Sequence, residues 1–267
     1  MNPSNPTRRA VVVGGVAAAA SGVARLARAQ VAPKTFVLVA GAAGGGWQWR
    51  RVADLLEKRG CKVFTPTLTG LGERSHLLTK DVGLDTHVTD VVNVVNWESL
   101  DRVCLVAHSY AGWPCGAALD QVGDKVASIV WLDAFKPEGG RRLIDLTAQS
   151  MRETVQRAAA GGDLGIPTPE SLPPSFVNAR DAAFVRSKLT PQPIATYTQP
   201  LKSAAGLEKV AKKTYIRLPD FPNPAFDRTY AACRADPSWS TTELTESGHL
   251  AMLDAPKRVA ELLLKAA

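Results

Sequence analysis

Short apolar runs recur along the chain and are separated by amphipathic stretches of helical length. The apolar runs predict strands near residues 35–40, 62–66, 103–108, 128–133, 213–218 and 241–245. The amphipathic stretches predict helices near residues 47–59, 86–97, 111–121, 225–235 and 256–266. Because strands and helices alternate, we expect an α/β fold with a mostly parallel six-stranded sheet flanked by helices, and a ligand site at the carboxyl ends of its strands.

Residues 136–205 interrupt this alternation. The segment is rich in proline and polar residues, and it contains helix-like pieces near 143–157 and 181–188. An insertion after the fourth strand would cover the carboxyl edge of the sheet, so we expect a helical lid there. With 267 residues and 45% hydrophobic content, the chain is long enough to bury a sizeable core, and residues 30–267 are predicted to form one domain.

Ser109 follows the third apolar run directly and is flanked by small residues. A nucleophile elbow reverses a strand sharply into a helix, and the positions two before and two after the serine must be small for the turn to close. Here they are Ala107 and Ala111, whereas the strict pattern has glycine at both. The segment therefore predicts a nucleophilic serine in an elbow that differs from the pattern by one methyl group on each side.

A serine nucleophile needs a histidine base and a carboxylate that orients it. Of four histidines, His249 lies in a loop between the last apolar run and the last helix. Asp220, after the fifth run, is the favoured acid. Asp133, which ends the fourth run, and Asp227 remain alternatives. The order serine, acid, histidine is typical of the α/β-hydrolases.

The first apolar run enters a glycine-rich turn at residues 41–46. Backbone N–H groups in such a turn can stabilise the oxyanion of a tetrahedral intermediate, and we assign Ala42 and Tyr110 as the donors. A nucleotide phosphate is the alternative ligand. Neither a lysine followed by serine or threonine nor an acidic residue after the next strand is present to support it.

Several of these segments, in this order, resemble the small α/β-hydrolases that include plant methyl-salicylate esterases, hydroxynitrile lyases and pyrethroid-hydrolysing carboxylesterases. The matching segments lie at residues 37–47, 68–76, 108–110, 132–135 and 248–253. The resemblance implies a serine nucleophile, an acid after the penultimate strand, and oxyanion donors at Ala42 and Tyr110. The lyases carry a lysine directly after the catalytic histidine. Leu250 stands there in this chain and favours ester hydrolysis.

We therefore expect a serine carboxylesterase that hydrolyses a small apolar or aromatic ester through an acyl-enzyme, with Ser109, Asp220 and His249 as the triad. A cofactor-free oxygenase with a histidine–aspartate dyad and a non-catalytic ligand-binding relative are the alternatives. The candidate substrate contacts are Trp47, His76, Phe135, Phe184 and Tyr197. No cofactor or metal is expected, because the four cysteines lack metal-ligand spacing.

The N-terminus indicates export. Arg8 and Arg9 precede a mild alanine-rich apolar run that ends in a small-x-small sequence at residues 27–29. The run is too short and interrupted for a membrane anchor, so residues 1–29 are predicted to be a twin-arginine signal of a periplasmic or secreted protein. These residues hold four arginines and no acid, and so more than half of the formal charge of +7. The remaining basic residues are scattered and predict no nucleic-acid partner.

Overall fold

The six predicted strands form one parallel sheet. The computed structural model describes residues 33–267, which make one compact unit. The six strands are β1 (Thr35–Val39), β2 (Lys62–Phe64), β3 (Val103–His108), β4 (Val126–Leu132), β7 (Lys212–Arg217) and β8 (Trp239–Glu243). Their spatial order is β2-β1-β3-β4-β7-β8, and every neighbouring pair is parallel. This confirms the predicted sheet.

Helices cover both faces of the sheet within residues 33–267. They are α1 (Arg50–Glu57), α2 (Leu84–Trp97), α3 (Gly112–Val122), α4 (Gln149–Ala160), α5 (Ala179–Lys188), α6 (Ala195–Thr198), α7 (Pro224–Ala235), α8 (Ala251–Asp254) and α9 (Pro256–Ala266). Strand residues alternate between two apolar clusters. Val37 and Leu105 pack with α2, α3 and α7, whereas Leu38 and Val106 pack with α1, α8 and α9. Both faces of the central strands are thus buried, which explains why β1, β3 and β4 are almost continuous apolar runs.

The observed boundaries differ from the predicted ones in two instructive places. Strand β2 ends at Phe64, before Thr65 and Pro66, because a proline has no N–H to donate to the ladder. The predicted helix near 143–157 is two helices, a 3₁₀ turn at Leu143–Leu146 and then α4. Otherwise the helices lie within a few residues of their expected positions.

The lid occupies the connection between β4 and β7. It contains α4, α5, α6 and a two-stranded antiparallel ribbon of β5 (Gly165–Ile166) and β6 (Gln192–Pro193). Two lid carbonyls, of Ser175 and Phe176, accept hydrogen bonds from the backbone N–H groups of His249 and Leu250 at 2.9 and 2.8 Å. The lid is therefore tied to the backbone of the loop that carries the candidate base.

The predicted export signal over residues 1–29 lies outside the described residues. Among the helices at residues 33–267, none is long and apolar enough to cross a membrane.

Candidate active site

Ser109 sits in a sharp, left-handed turn at the carboxyl end of β3. Its φ is 55°, a conformation that is uncommon for a residue other than glycine and that costs backbone strain. Ala107 and Ala111 are fully buried, so the turn closes with a methyl group at both positions. The elbow predicted from the small flanking residues is therefore formed.

Two glycines keep the surroundings of the serine open. A Cβ on Gly41 would lie 2.9 Å from the Ser109 Cβ, and a Cβ on Gly112 would lie 2.1 Å from the carbonyl oxygen of Phe135. Both distances are shorter than real Cβ contacts, so any side chain would push the serine or the adjoining helix aside. Gly112 therefore lets the start of α3 pack directly against the backbone of Phe135. The sequence alone did not identify this glycine.

His249 lies in the loop between β8 and α8, and its side chain is almost wholly buried. Its ring stacks on Phe221 at 4.2 Å between centroids and lies parallel to Phe226 at 5.6 Å. Nδ1 is 2.8 Å from Oδ2 of Asp133. A carboxylate accepts a hydrogen bond, so Nδ1 carries the proton and Nε2 is left as the acceptor.

The carboxylate beside His249 is Asp133 rather than Asp220, which corrects the favoured expectation. Asp133 follows β4 directly, is 0% exposed, and has a φ of 46°. Asp220 is exposed and accepts hydrogen bonds from the backbone N–H groups of Glu246 and Ser247 at 2.7 and 3.2 Å. Its carboxylate caps the turn before His249 instead of meeting the ring.

Asp227, the third candidate acid, belongs to an ion pair with Arg217 at the end of β7. Arg217 donates to Asp227 from Nε and Nη2, at 2.9 and 2.8 Å, and its Nη1 donates to Oδ1 of Asp133 at 2.6 Å. Burial alone would lower the pKa of Arg217, but Asp133 and Asp227 outweigh burial and raise its pKa. The guanidinium is therefore charged and shared between two aspartates, an arrangement that sequence analysis missed.

His108, next to the serine, has a structural role. Its Nε2 donates to the backbone carbonyl of His249 at 2.9 Å, and its ring centroid lies 4.4 Å from that of His249. Burial, reinforced by the neighbouring His249, holds the pKa of His108 well below its usual value. His108 is therefore neutral and fixes the backbone of the candidate base.

The proposed oxyanion donors come from two segments, Ala42 from the loop after β1 and Tyr110 from the turn after β3. Ala42 and Ser109 line the same cavity, and the Ala42 N–H meets no acceptor among residues 33–267. Tyr110 is the second residue of the 3₁₀ turn Ser109–Ala111, and backbone N–H groups in the first turn of a helix have no partner within the helix. The adjoining Ala43 N–H donates to the side chain of Gln192 at 2.8 Å, which ties this loop to the lid.

A cavity of about 380 Å³ connects the serine, the histidine and the lid. Phe135 and Tyr197, two of the candidate substrate contacts, line it. The other candidates lie elsewhere: Trp47 packs edge-on against Phe184 at 5.5 Å, and His76 is exposed on a 3₁₀ turn. None of these three residues lines this cavity.

The remaining lining was only partly foreseen. It adds aromatic residues from both sides of the lid and a small number of polar side chains: Phe176, Phe221, Phe226, Gln48, Gln192 and Asn223. Phe221 and Phe226 belong to the segment after β7, which the sequence suggested only as the place of the acid. Within residues 33–267, no cluster of three or more histidine, cysteine or acidic side chains could hold a metal ion.

This fold and this arrangement define a class of protein. Residues 36–262 match the sequence profile described as the alpha/beta hydrolase family. The chain therefore belongs to the α/β hydrolase family.

Two relatives are similar over most of their length. A carbendazim hydrolyzing esterase from Nocardioides sp. (strain SG-4G) is 38% identical over 239 residues, which are 85% of this chain and 97% of that protein. An extracellular α/β-hydrolase from a Paenibacillus species, described as a structural and functional homologue of tobacco salicylic acid binding protein 2, has a TM-score of 0.73 at 26% identity. That match covers 88% of this chain and 99% of that one.

A more distant structure shares the fold. A pyrethroid hydrolase from Sphingobium faniae JZ-2 has a TM-score of 0.63 at 19% identity, over 87% of this chain and 96% of that one. The family profile and the relatives named as esterases confirm the group that the sequence resembles and the expected enzyme class, a carboxylic ester hydrolase.

Proposed function

We propose that this protein is a serine esterase that works through an acyl-enzyme, with Ser109 as nucleophile, His249 as base and Asp133 as the acid that orients His249. The observation that carries the proposal is the 2.8 Å contact from His249 Nδ1 to Asp133, in a cavity that also holds Ser109 in a strained elbow. This contact leaves Nε2 free to take a proton. The elbow presents the hydroxyl at the end of the strand.

The first half of the reaction forms the acyl-enzyme. Ser109 Oγ bonds to the ester carbonyl carbon while its proton moves to Nε2 of His249, and Asp133 stabilises the resulting imidazolium. The Ala42 and Tyr110 N–H groups donate to the oxyanion. When the intermediate collapses, the carbon–oxygen bond to the alcohol breaks, and Nε2 returns the proton to the departing oxygen. Water repeats the sequence and releases the acid.

We propose a small apolar or aromatic ester as the substrate. The cavity is lined mainly by apolar and aromatic side chains, with a few polar groups such as Gln48 and Gln192, and this composition suits an aromatic ring better than a charged ligand. The 38% identical relative is named for carbendazim hydrolysis. Carbendazim therefore belongs in the first substrate panel beside p-nitrophenyl esters.

Labelling with a fluorophosphonate probe tests the nucleophile. We expect the probe on Ser109 of the wild-type protein, and we expect Ser109→Ala to lose about three or more decades of ester turnover because no acyl-enzyme can form. Ser187→Ala is the matched control, since that hydroxyl only contacts a carbonyl within its own helix. A folded wild-type protein that takes no label would contradict the proposal. Oxygen uptake with an aromatic substrate, or ligand binding without turnover, would then favour one of the two alternatives.

We also propose export by the twin-arginine route. The proposal is supported by Arg8, Arg9 and the alanine-rich run that follows them. Sequencing the N-terminus of protein recovered outside the cytoplasm checks it, and a new N-terminus near Gln30 is expected.

A further inference from the structure

Three ionisable side chains, Asp133, Arg217 and His249, lie together beyond the carboxyl ends of β4, β7 and β8 and are almost completely shielded from water. Asp133 is 0% exposed, Arg217 is 2% exposed and His249 is 4% exposed. The two oxygens of Asp133 are divided between the other two residues: Oδ2 contacts His249 and Oδ1 contacts Arg217. A full set of partners is needed here, because a buried charge without compensation is strongly unfavourable.

The guanidinium is held rigidly by its other contacts. Besides Asp133 and Asp227, Arg217 donates to the backbone carbonyls of Leu218 and Phe221. The backbone N–H of Leu218 also donates to Oδ1 of Asp133 at 3.2 Å. Arg217 thereby fixes both the position of Asp133 and the path of the chain that brings Phe221 against the His249 ring.

The charge of Arg217 has a second consequence. A carboxylate stabilises an imidazolium through its negative charge, and a cation on the other oxygen offsets part of that charge. In a site this buried the offset is screened little by water. His249 therefore faces a carboxylate whose negative charge is partly offset by Arg217.

We propose that Arg217 is a positioning residue of the esterase site: by sharing Asp133 with His249, it holds the carboxylate against Nδ1 of His249 and limits how much of the negative charge acts on the imidazole. Asp227, on the outer side of the guanidinium and 62% exposed at its side chain, tempers this effect by offsetting part of the arginine charge. The inference rests on the proposed function, since it concerns the base of that reaction.

Other ionisable groups lie around this cluster. They are neutral His108 from β3, Tyr215 from β7, Asp227 from α7, Asp220 and Glu246 beside the β8 loop, and Asp254 from α8, which accepts a hydrogen bond from the Gly248 N–H. Tyr215 donates to the carbonyl of Ala134, and burial holds its pKa well above the usual value, so it stays neutral. Asp220 and Glu246 are exposed to solvent and screened. Arg217 is the cation in direct contact with Asp133.

The test compares the pH dependence of ester hydrolysis in two variants of the same side chain. Arg217→Gln removes the charge and keeps a hydrogen-bond donor, whereas Arg217→Lys keeps the charge and loses the planar fork. We expect the acid limb of the kcat/KM profile to move upward by about one pH unit or more in Arg217→Gln. We expect Arg217→Lys to keep the limb near the wild-type position, with a lower plateau. KM should change little in both. Arg186→Gln removes an exposed arginine away from the site and serves as the control.

A second variant keeps the test decisive if Arg217→Gln does not fold. Asp227→Asn removes an exposed charge, leaves Asp133 as the one charged partner of Arg217 among the described residues, and should move the acid limb downward by a few tenths of a unit. Unchanged profiles in both the Gln and Asn variants, or equal shifts in the Gln and Lys variants, would overturn the role of Arg217. Failure of the proposed function is distinguishable, because the wild-type protein would then neither take the fluorophosphonate label nor turn over esters.

Discussion

Two strand ends in this molecule each carry a carboxylate near His249, and only one of them meets it. At the end of β4, Asp133 follows the last strand residue directly, is buried, and contacts the imidazole at 2.8 Å. At the end of β7, the chain runs on through Leu218 and Pro219 before Asp220, which is exposed. The position of a carboxylate after a strand is therefore not enough to define its role.

The difference lies in which residue stands at the carboxyl end of each strand: Asp133 directly after β4, and Arg217 as the last residue of β7. The left-handed turn at Asp133 aims its side chain along the sheet edge toward the neighbouring loops, and its N–H donates to the Ile216 carbonyl at 2.7 Å. The last residue of β7 is Arg217, whose guanidinium fills the corresponding space. Strand β7 thus supplies the counter-charge of the acid, and Asp220 is carried outward to cap the β8 loop.

The strongest way to break this comparison is to remove the Asp133 charge. We expect Asp133→Asn to lower kcat by about four orders of magnitude, because an amide no longer holds His249 in the productive tautomer. Ester turnover is measured on protein whose fold is checked by circular dichroism. Wild-type turnover in this variant would return the acid role to another carboxylate.

His87 limits how far the pH can be lowered before the folded protein loses stability, and so sets the range in which the Asp133 and Asp220 variants can be compared. Its Nε2 donates to the Thr69 carbonyl and its Nδ1 accepts from the Tyr110 hydroxyl, each at 2.8 Å, and burial lowers its pKa to about 4. The folded state then binds fewer protons than the unfolded state, so this contribution to stability is present above pH 6.5 and is lost as the pH falls toward 4. The loss is about 3 kcal/mol.

Urea unfolding at several pH values measures this loss. His87→Gln, which cannot titrate, should have a flatter stability profile between pH 6.5 and 4. An equally steep profile in that variant would assign the acid sensitivity to other groups.

The smallest effect is expected at the other strand end. Asp220→Asn keeps an oxygen that can accept from the Glu246 and Ser247 N–H groups, so we expect kcat within about threefold of wild type and a stability change below about 1 kcal/mol. A loss as large as that of Asp133→Asn would reverse the comparison. Asp220→Asn is also the matched control for Asp133→Asn, since both changes convert an aspartate to its amide after a strand.

Much of the fold could be predicted because local pattern and burial agree. The apolar runs at 35–40 and 103–108 are strands buried on both faces, and their alternation with amphipathic helices leaves a parallel sheet as the consistent arrangement. The lid was predictable as an insertion but not in detail. Its aromatic residues look alike in sequence, yet Phe176 lines the cavity and Phe184 packs outside it against Trp47.

For the candidate site, the sequence by itself singled out Ser109 and His249 as candidates, because a small-flanked serine after a strand and a histidine in the last loop are local features. It also restricted the acid to three aspartates. Only the tertiary structure decided among them. The choice depends on which carboxylate lies buried beside His249 once the strands are assembled. Only there could Asp133 be paired with Arg217, a residue 84 positions away, because a buried carboxylate is stable where its compensating charge is also buried.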